Sequence, residues 1–193
     1  MAQEVPAPHL FRRLFHLASP VFLVYYWIPP DLVGGLARQG LLFLFLGSAL
    51  CVEVARIALR IPVFGMRAYE AARFSAYAWG MIGLALGFLF FPWILVIPAF
   101  CGMAWIDPLA AWSRRTGRYP WLPAVGYAAA FAGILLALGV LSVPEVAALT
   151  AIAVPVALLA EYPDIRVVDD DFLMTIVPLL VLTPALPLVQ ALL

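Results

Sequence analysis

Seven long apolar runs, at residues 14–28, 37–59, 74–91, 93–111, 121–141, 145–160 and 172–192, occupy most of this 193-residue chain and leave it little choice of architecture. A bilayer core takes about 20 apolar residues per helical crossing, and inside it every backbone N–H and C=O must be satisfied within the segment itself. The runs therefore predict an all-α integral membrane protein, one transmembrane helical domain spanning 1–193. A residue content that is 66% hydrophobic and 11% charged excludes a soluble domain independently of the pattern. Pro92 lies in a very short gap between the third and fourth runs, so six or eight crossings stay open beside seven. No run shows the basic, apolar, small-residue order of a cleaved signal peptide, and the first span is expected to remain in the mature chain.

Charge placement supports seven. Arg12 and Arg13 precede the first run, Arg56, Arg60, Arg67 and Arg73 surround the loop after the second, Arg114, Arg115 and Arg118 follow the fourth, and Arg166 follows the sixth. Only Arg38 falls on the other side. By the positive-inside rule this puts the N-terminus in the cytoplasm and the C-terminus outside, and the expected location is a cytoplasmic membrane, or the endoplasmic reticulum in a eukaryote. All the basic residues other than the two histidines are arginine. The absence of lysine excludes a P-loop and Schiff-base catalysis. Cys51 and Cys101 sit in apolar runs with no metal-ligand spacing and read as core thiols. The loop from Arg60 to Arg73 reads as an anchored cytoplasmic connection. Gly80, Gly83 and Gly87 in the third run, with Gly126, Ala130, Gly133 and Ala137 in the fifth, read as helix-packing faces.

The remaining ionisable residues gather at one face of this topology. His16 lies one turn after the Arg12–Arg13 pair; Glu53 and Arg56 share a helical face. Asp107 lies about a turn inside the fourth run, with Arg114 and Arg115 beyond it, and Glu161 closes the sixth run. Asp169, Asp170 and Asp171 open the seventh. An ionised carboxylate in hydrocarbon is costly, so Asp107 needs a partner, water or a metal, and Arg114 or Arg56 are the available cations. Each group has a plain structural reading: a helix-spaced ion pair for Glu53 and Arg56, a packed imidazole for His16, a helix cap for the acidic trio. Together, carboxylates for a hard cation and arginines for phosphate oxygens describe a magnesium–phosphate site.

The order Arg12-Arg13-x-x-His16, Glu53-x-x-Arg56, Asp107-x-x-Ala110-Ala111 leading to Arg114-Arg115-x-Gly117-Arg118, then Glu161 and Asp169-Asp170-Asp171-Phe172, resembles the CTP-dependent polyprenol kinases. These are the dolichol, phytol and CTP-dependent diacylglycerol kinases, distantly related to phosphatidate cytidylyltransferases. The resemblance implies transfer of the γ-phosphoryl group of CTP, or another nucleoside triphosphate, to a membrane lipid alcohol, with Mg2+ as cofactor. It implies Asp107, His16 and Glu161 as catalytic candidates and Asp107, Asp169, Asp170 and Asp171 as metal ligands. Arg13, Arg114, Arg115, Gly117, Arg118, Glu53 and Arg56 would contact the nucleotide. Ile106 and Pro108 replace the small residues that flank the motif aspartate in that family. Expected partners are the nucleotide, the alcohol and surrounding lipid, with no nucleic acid, and a homodimer is open. The rival expectations are a cytidylyltransferase forming a CDP-lipid and, from another class, a small transporter or structural subunit.

Overall fold

Each apolar run forms a helix because the backbone has no other way to satisfy itself in hydrocarbon. The computed structural model describes residues 7–31, 37–61, 66, 70, 72–162 and 168–193, with the side chains of residues 7–10 and of Asp107 outside that description. The elements are α1 (Ala7–Ala18), a 3₁₀ helix (Ser19–Trp27), α2 (Arg38–Leu59), α3 (Ala76–Phe90), α4 (Trp93–Arg115), α5 (Trp121–Leu138), α6 (Val143–Glu161) and α7 (Asp170–Leu192). Among the described residues the extended pairing is one isolated bridge, Asp31 to Ala37. Five helices, α2 and α4 to α7, are long and apolar enough to cross a membrane.

The first run departs from the sequence expectation. A regular helix begins at Ala7, seven residues before the run, and gives way to the 3₁₀ helix at Ser19. Pro8 is tolerated in the first turn because its missing N–H has no intrahelical acceptor there, whereas Pro20 sits where a new element starts. The helix starts are chemically marked. Ser75 accepts from the Ala78 N–H at 3.2 Å. Ser142 and Glu145 form a reciprocal capping box that starts α6. Asp169 accepts from the Asp171 N–H at 3.2 Å and caps α7. Prolines inside α4, α6 and α7 leave these helices unbroken, as is common where neighbouring helices supply the packing.

α4 is the central helix. Its Leu95, Val96, Ala99 and Ala104 are fully enclosed, and it packs against α5 and α7 while α6 closes the bundle between those two. Gly102 allows this closeness: a Cβ there would lie 2.7 Å from the ring of Tyr127, itself fully buried. Gly126 faces Leu109 and Ile106 in the same way, with 2.8 Å to Leu109. Gly83 meets Phe172 of α7 and Gly87 meets Val96 of α4. Gly80 and Gly133, read from sequence as packing positions, have nothing within 4 Å of a Cβ position. Cys101 joins the core as expected; Cys51 is exposed on α2, which corrects its reading as a core thiol. That exposure follows from the position of α2, which packs chiefly on α3 and turns most of its apolar surface outward.

Candidate functional site

The polar residues meet where α1, the end of α2, the start of α3 and the start of α7 come together, and where α4 and α6 end. Three constellations result. In the first, Arg56 donates from Nε and Nη2 to the two Glu53 carboxylate oxygens at 3.1 and 2.7 Å. It also donates to the carbonyls of Glu70 and Arg73 at 3.0 and 2.6 Å. Glu53 in turn accepts from the Ser75 N–H at 2.6 Å. Both side chains are buried, and the bonds to Glu70, Arg73 and Ser75 hold those residues onto α2. Glu53 and Arg56 form an architectural clamp, with the guanidinium fork directed at a carboxylate and two carbonyls.

In the second, His16 Nε2 faces Asp171 Oδ2 at 3.4 Å, both residues being buried. Helix spacing accounts for the approach. His16 is one turn beyond Arg12 on α1, and Asp171 follows the capping Asp169 and points inward from the first turn of α7. Carboxylate oxygens of Asp169, Asp170 and Asp171 lie within 4.8 Å of one another. Burial, and then the neighbouring charge of Asp170, push the Asp169 carboxyl up to about 6. Arg12 approaches this region too, with Nη1 3.7 Å from Glu70 Oε1. A small cavity of about 40 Å³ touches His16 and Asp171 together with Tyr77 and Ser19.

In the third, Arg114 at the end of α4 hydrogen-bonds to Glu161 at the end of α6. Tyr119 donates to the other Glu161 oxygen at 3.3 Å, and Arg114 lies over the Tyr119 ring at 5.0 Å. Burial and the adjacent Glu161 charge push the Tyr119 phenol up, so it stays a donor. Arg114 thus has Glu161 as its carboxylate, where Asp107 was the partner considered from sequence. Asp107 lies within α4, and its side chain is outside the described residues, as are Asp164 and Arg166. Arg13 is half-buried on α1 and Arg115 is exposed. Gly117 takes a left-handed backbone, φ 68°, which a side chain would strain. That turn carries Arg118 back over Trp112 at 5.4 Å.

Of the sequence candidates, then, His16 meets the acidic trio and Arg114 meets Glu161. Glu70, Ser75, Tyr77 and Tyr119 were not singled out from sequence. Glu70 and Tyr119 carried a signal, one as the lone carboxylate of an arginine-flanked loop, the other as the residue following Arg118. The chain matches no protein-family model, no curated protein and no solved structure. What the fold and site define is a class: an all-helical protein suited to a membrane, with most of its described ionisable groups collected at one end.

Proposed function

We propose that the chain is a lipid-alcohol phosphotransferase of the polyprenol-kinase type, moving the γ-phosphoryl group of CTP or another nucleoside triphosphate to the hydroxyl of a membrane lipid. The observation that carries the reading is the His16–Asp171 contact, set beside three clustered carboxylates in an otherwise apolar, membrane-suited fold. His16, with the Asp171 carboxylate 3.4 Å from Nε2 to favour the charged ring, takes the alcohol proton as the oxygen attacks phosphorus, and the nucleoside diphosphate leaves with the bridging oxygen. Asp169, Asp170 and Asp171 would hold a hard cation, since their carboxylates are oxygen-only donors gathered within 4.8 Å of one another. When bound, Mg2+ supplies charge neutralisation of the phosphates. Arg13, Arg115 and Arg118 provide the remaining phosphate donors, and Asp107 enters through motif order alone.

The topology in this proposal has seven crossings with a cytoplasmic N-terminus. Its support is the arginine alternation and the lengths available. α1 and the 3₁₀ helix in line would reach about 36 Å, against about 30 Å of hydrocarbon. The test is reconstituted protein with Mg2+, a panel of prenyl and acyl alcohols, and CTP labelled at the γ or α phosphorus. Label from the γ position on lipid is the expected result. Label from the α position would instead establish cytidylyl transfer, and no transfer with any nucleotide would remove the enzyme reading.

A further inference from the structure

We propose that the gap between α2, α3 and the 3₁₀ helix is the track for the hydrocarbon tail of a single lipid alcohol, entered sideways from the bilayer, with the hydroxyl lodged at Tyr77. The inference rests on the lipid-alcohol reading above and adds where the substrate lies. Cavities of about 190 and 340 Å³ open along α2 and follow one another there, and a third of about 40 Å³ lies beside them between α1, the 3₁₀ helix, α3, α4 and α7; Met81 borders all three. Leu41 and Leu42 line only the outermost of the two larger ones, Phe45 and Leu46 line both, and Glu53 and Arg56 mark the inner end. From Leu41 to Glu53 the helix rises about 18 Å, more than half of a hydrocarbon core of about 30 Å. From Tyr77 to Phe88 on the facing helix the rise is about 17 Å, so both walls run the same distance.

Two ends of different chemistry give this track a direction. The outer end is closed by stacked groups: Arg38 donates to the Ile28 carbonyl at 3.2 Å and lies 4.7 Å over Tyr25, whose ring stacks on Phe88 at 4.3 Å. Ser48 apart, the lining stays apolar until the inner end, where Tyr77 borders both the small cavity holding His16 and Asp171 and the cavity reaching Ser75. The Tyr77 hydroxyl is buried and has no hydrogen-bond partner among the described residues. A buried hydroxyl in that state is unfavourable, and an alcohol arriving along the track supplies both a donor and an acceptor. An apolar channel of leaflet length ending on an orphan hydroxyl, a histidine and a carboxylate fits an amphiphile with one small polar head. The phosphate of a phospholipid head would sit against the buried Asp171 carboxylate and is disfavoured there.

The experiment is photolabelling of the full chain in liposomes with a diazirine analogue of geranylgeraniol, followed by peptide mapping. Label is expected on the inner faces of α2 and α3, with at least a tenfold loss in Met81→Trp, which plugs the point where the cavities join. Tyr77→Phe keeps the tail walls and is expected to abolish the preference of the site for the alcohol over the matching hydrocarbon as competitor. Circular dichroism of both variants checks folding, and should Met81→Trp fail to fold, the Tyr77→Phe competition decides alone. Label spread over lipid-facing positions such as Trp121 and Leu180, competition by phospholipid as effective as by the alcohol, or an unchanged preference in Tyr77→Phe would each overturn the proposal. Labelling of the track without any phosphate transfer would leave the track standing and sink the kinase reading; transfer with label elsewhere does the reverse.

Discussion

α4 and α2 are both apolar helices of spanning length, yet 76% of the most apolar window of α4 is buried within the protein and only 11% of that of α2. The difference teaches that hydropathy decides whether a helix enters the membrane, while side-chain size decides what it packs against. α4 can sit at the centre because Gly102, Ala99 and Ala104 let neighbours approach. α2 presents Phe43, Leu44 and Val54 outward. Besides the small apolar cluster of Leu42 with Tyr25 and Ala85, what holds α2 in place is polar: the Glu53–Arg56 clamp on Glu70, Arg73 and Ser75.

The sharpest way to break that contrast is Arg56→Ala. It leaves Glu53 buried without its cation and frees two carbonyls, a change expected to destabilise by about 3–5 kcal/mol. Thermal unfolding in detergent measures it, and Glu53→Gln with Arg56→Met together should recover most of the loss. A small effect would mean that α2 is held by lipid and that apolar cluster alone. The activity counterpart is His16→Ala, expected to lower phosphate transfer about a hundredfold, near 2.7 kcal/mol of barrier, with a smaller loss of stability than that of Arg56→Ala. An equal fall in stability and activity would place His16 among the packing residues.

The positions of the helices were legible because hydrocarbon burial is a one-dimensional property of sequence; every expected run contains a helix. The partners were not, because Arg114 and Glu161 are 47 residues apart and Arg56 reaches the Arg73 carbonyl across 17. Such pairings depend on which helices become neighbours, and small residues at single positions set that. Gly83 and Gly80 look alike in sequence, but one meets Phe172 and the other meets nothing within 4 Å. The break of the first run at Ser19 was visible only as Pro20, and the burial of Glu70 only as a carboxylate among arginines.

Comparing glycines sharpens the same contrast at smaller scale. Gly102→Ala forces a methyl group against the enclosed Tyr127 ring and is expected to destabilise by about 1–3 kcal/mol. Gly80→Ala, facing open space, gains helix propensity and is expected to be neutral or stabilising by up to about 1 kcal/mol. Chemical or thermal unfolding of the pair checks this. Equal destabilisation would mean that the face of α3 bearing Gly80 is packed.

The smallest effect is expected where the ionisable end meets water. Asp169 has its carboxyl pushed up to about 6 from an ordinary 3.8 by burial and by the charge of Asp170. The folded state therefore binds this proton more tightly than the unfolded chain. Below about pH 4 both states are protonated and the group is neutral to stability; as pH rises from about 4 to about 6 the unfolded chain ionises first, and stability falls to a plateau above that. The half-buried position lets water screen the charge, so the loss is expected to be about 1 kcal/mol. The melting difference between wild type and Asp169→Asn should grow in the variant's favour across that window. A divalent cation on the acidic trio opposes the trend, since it binds the ionised form. Mg2+ should thus raise the wild-type melting point at pH 7.5, do little at pH 4.5, and act weakly on the variant. A magnesium effect independent of both pH and Asp169 would locate the cation elsewhere.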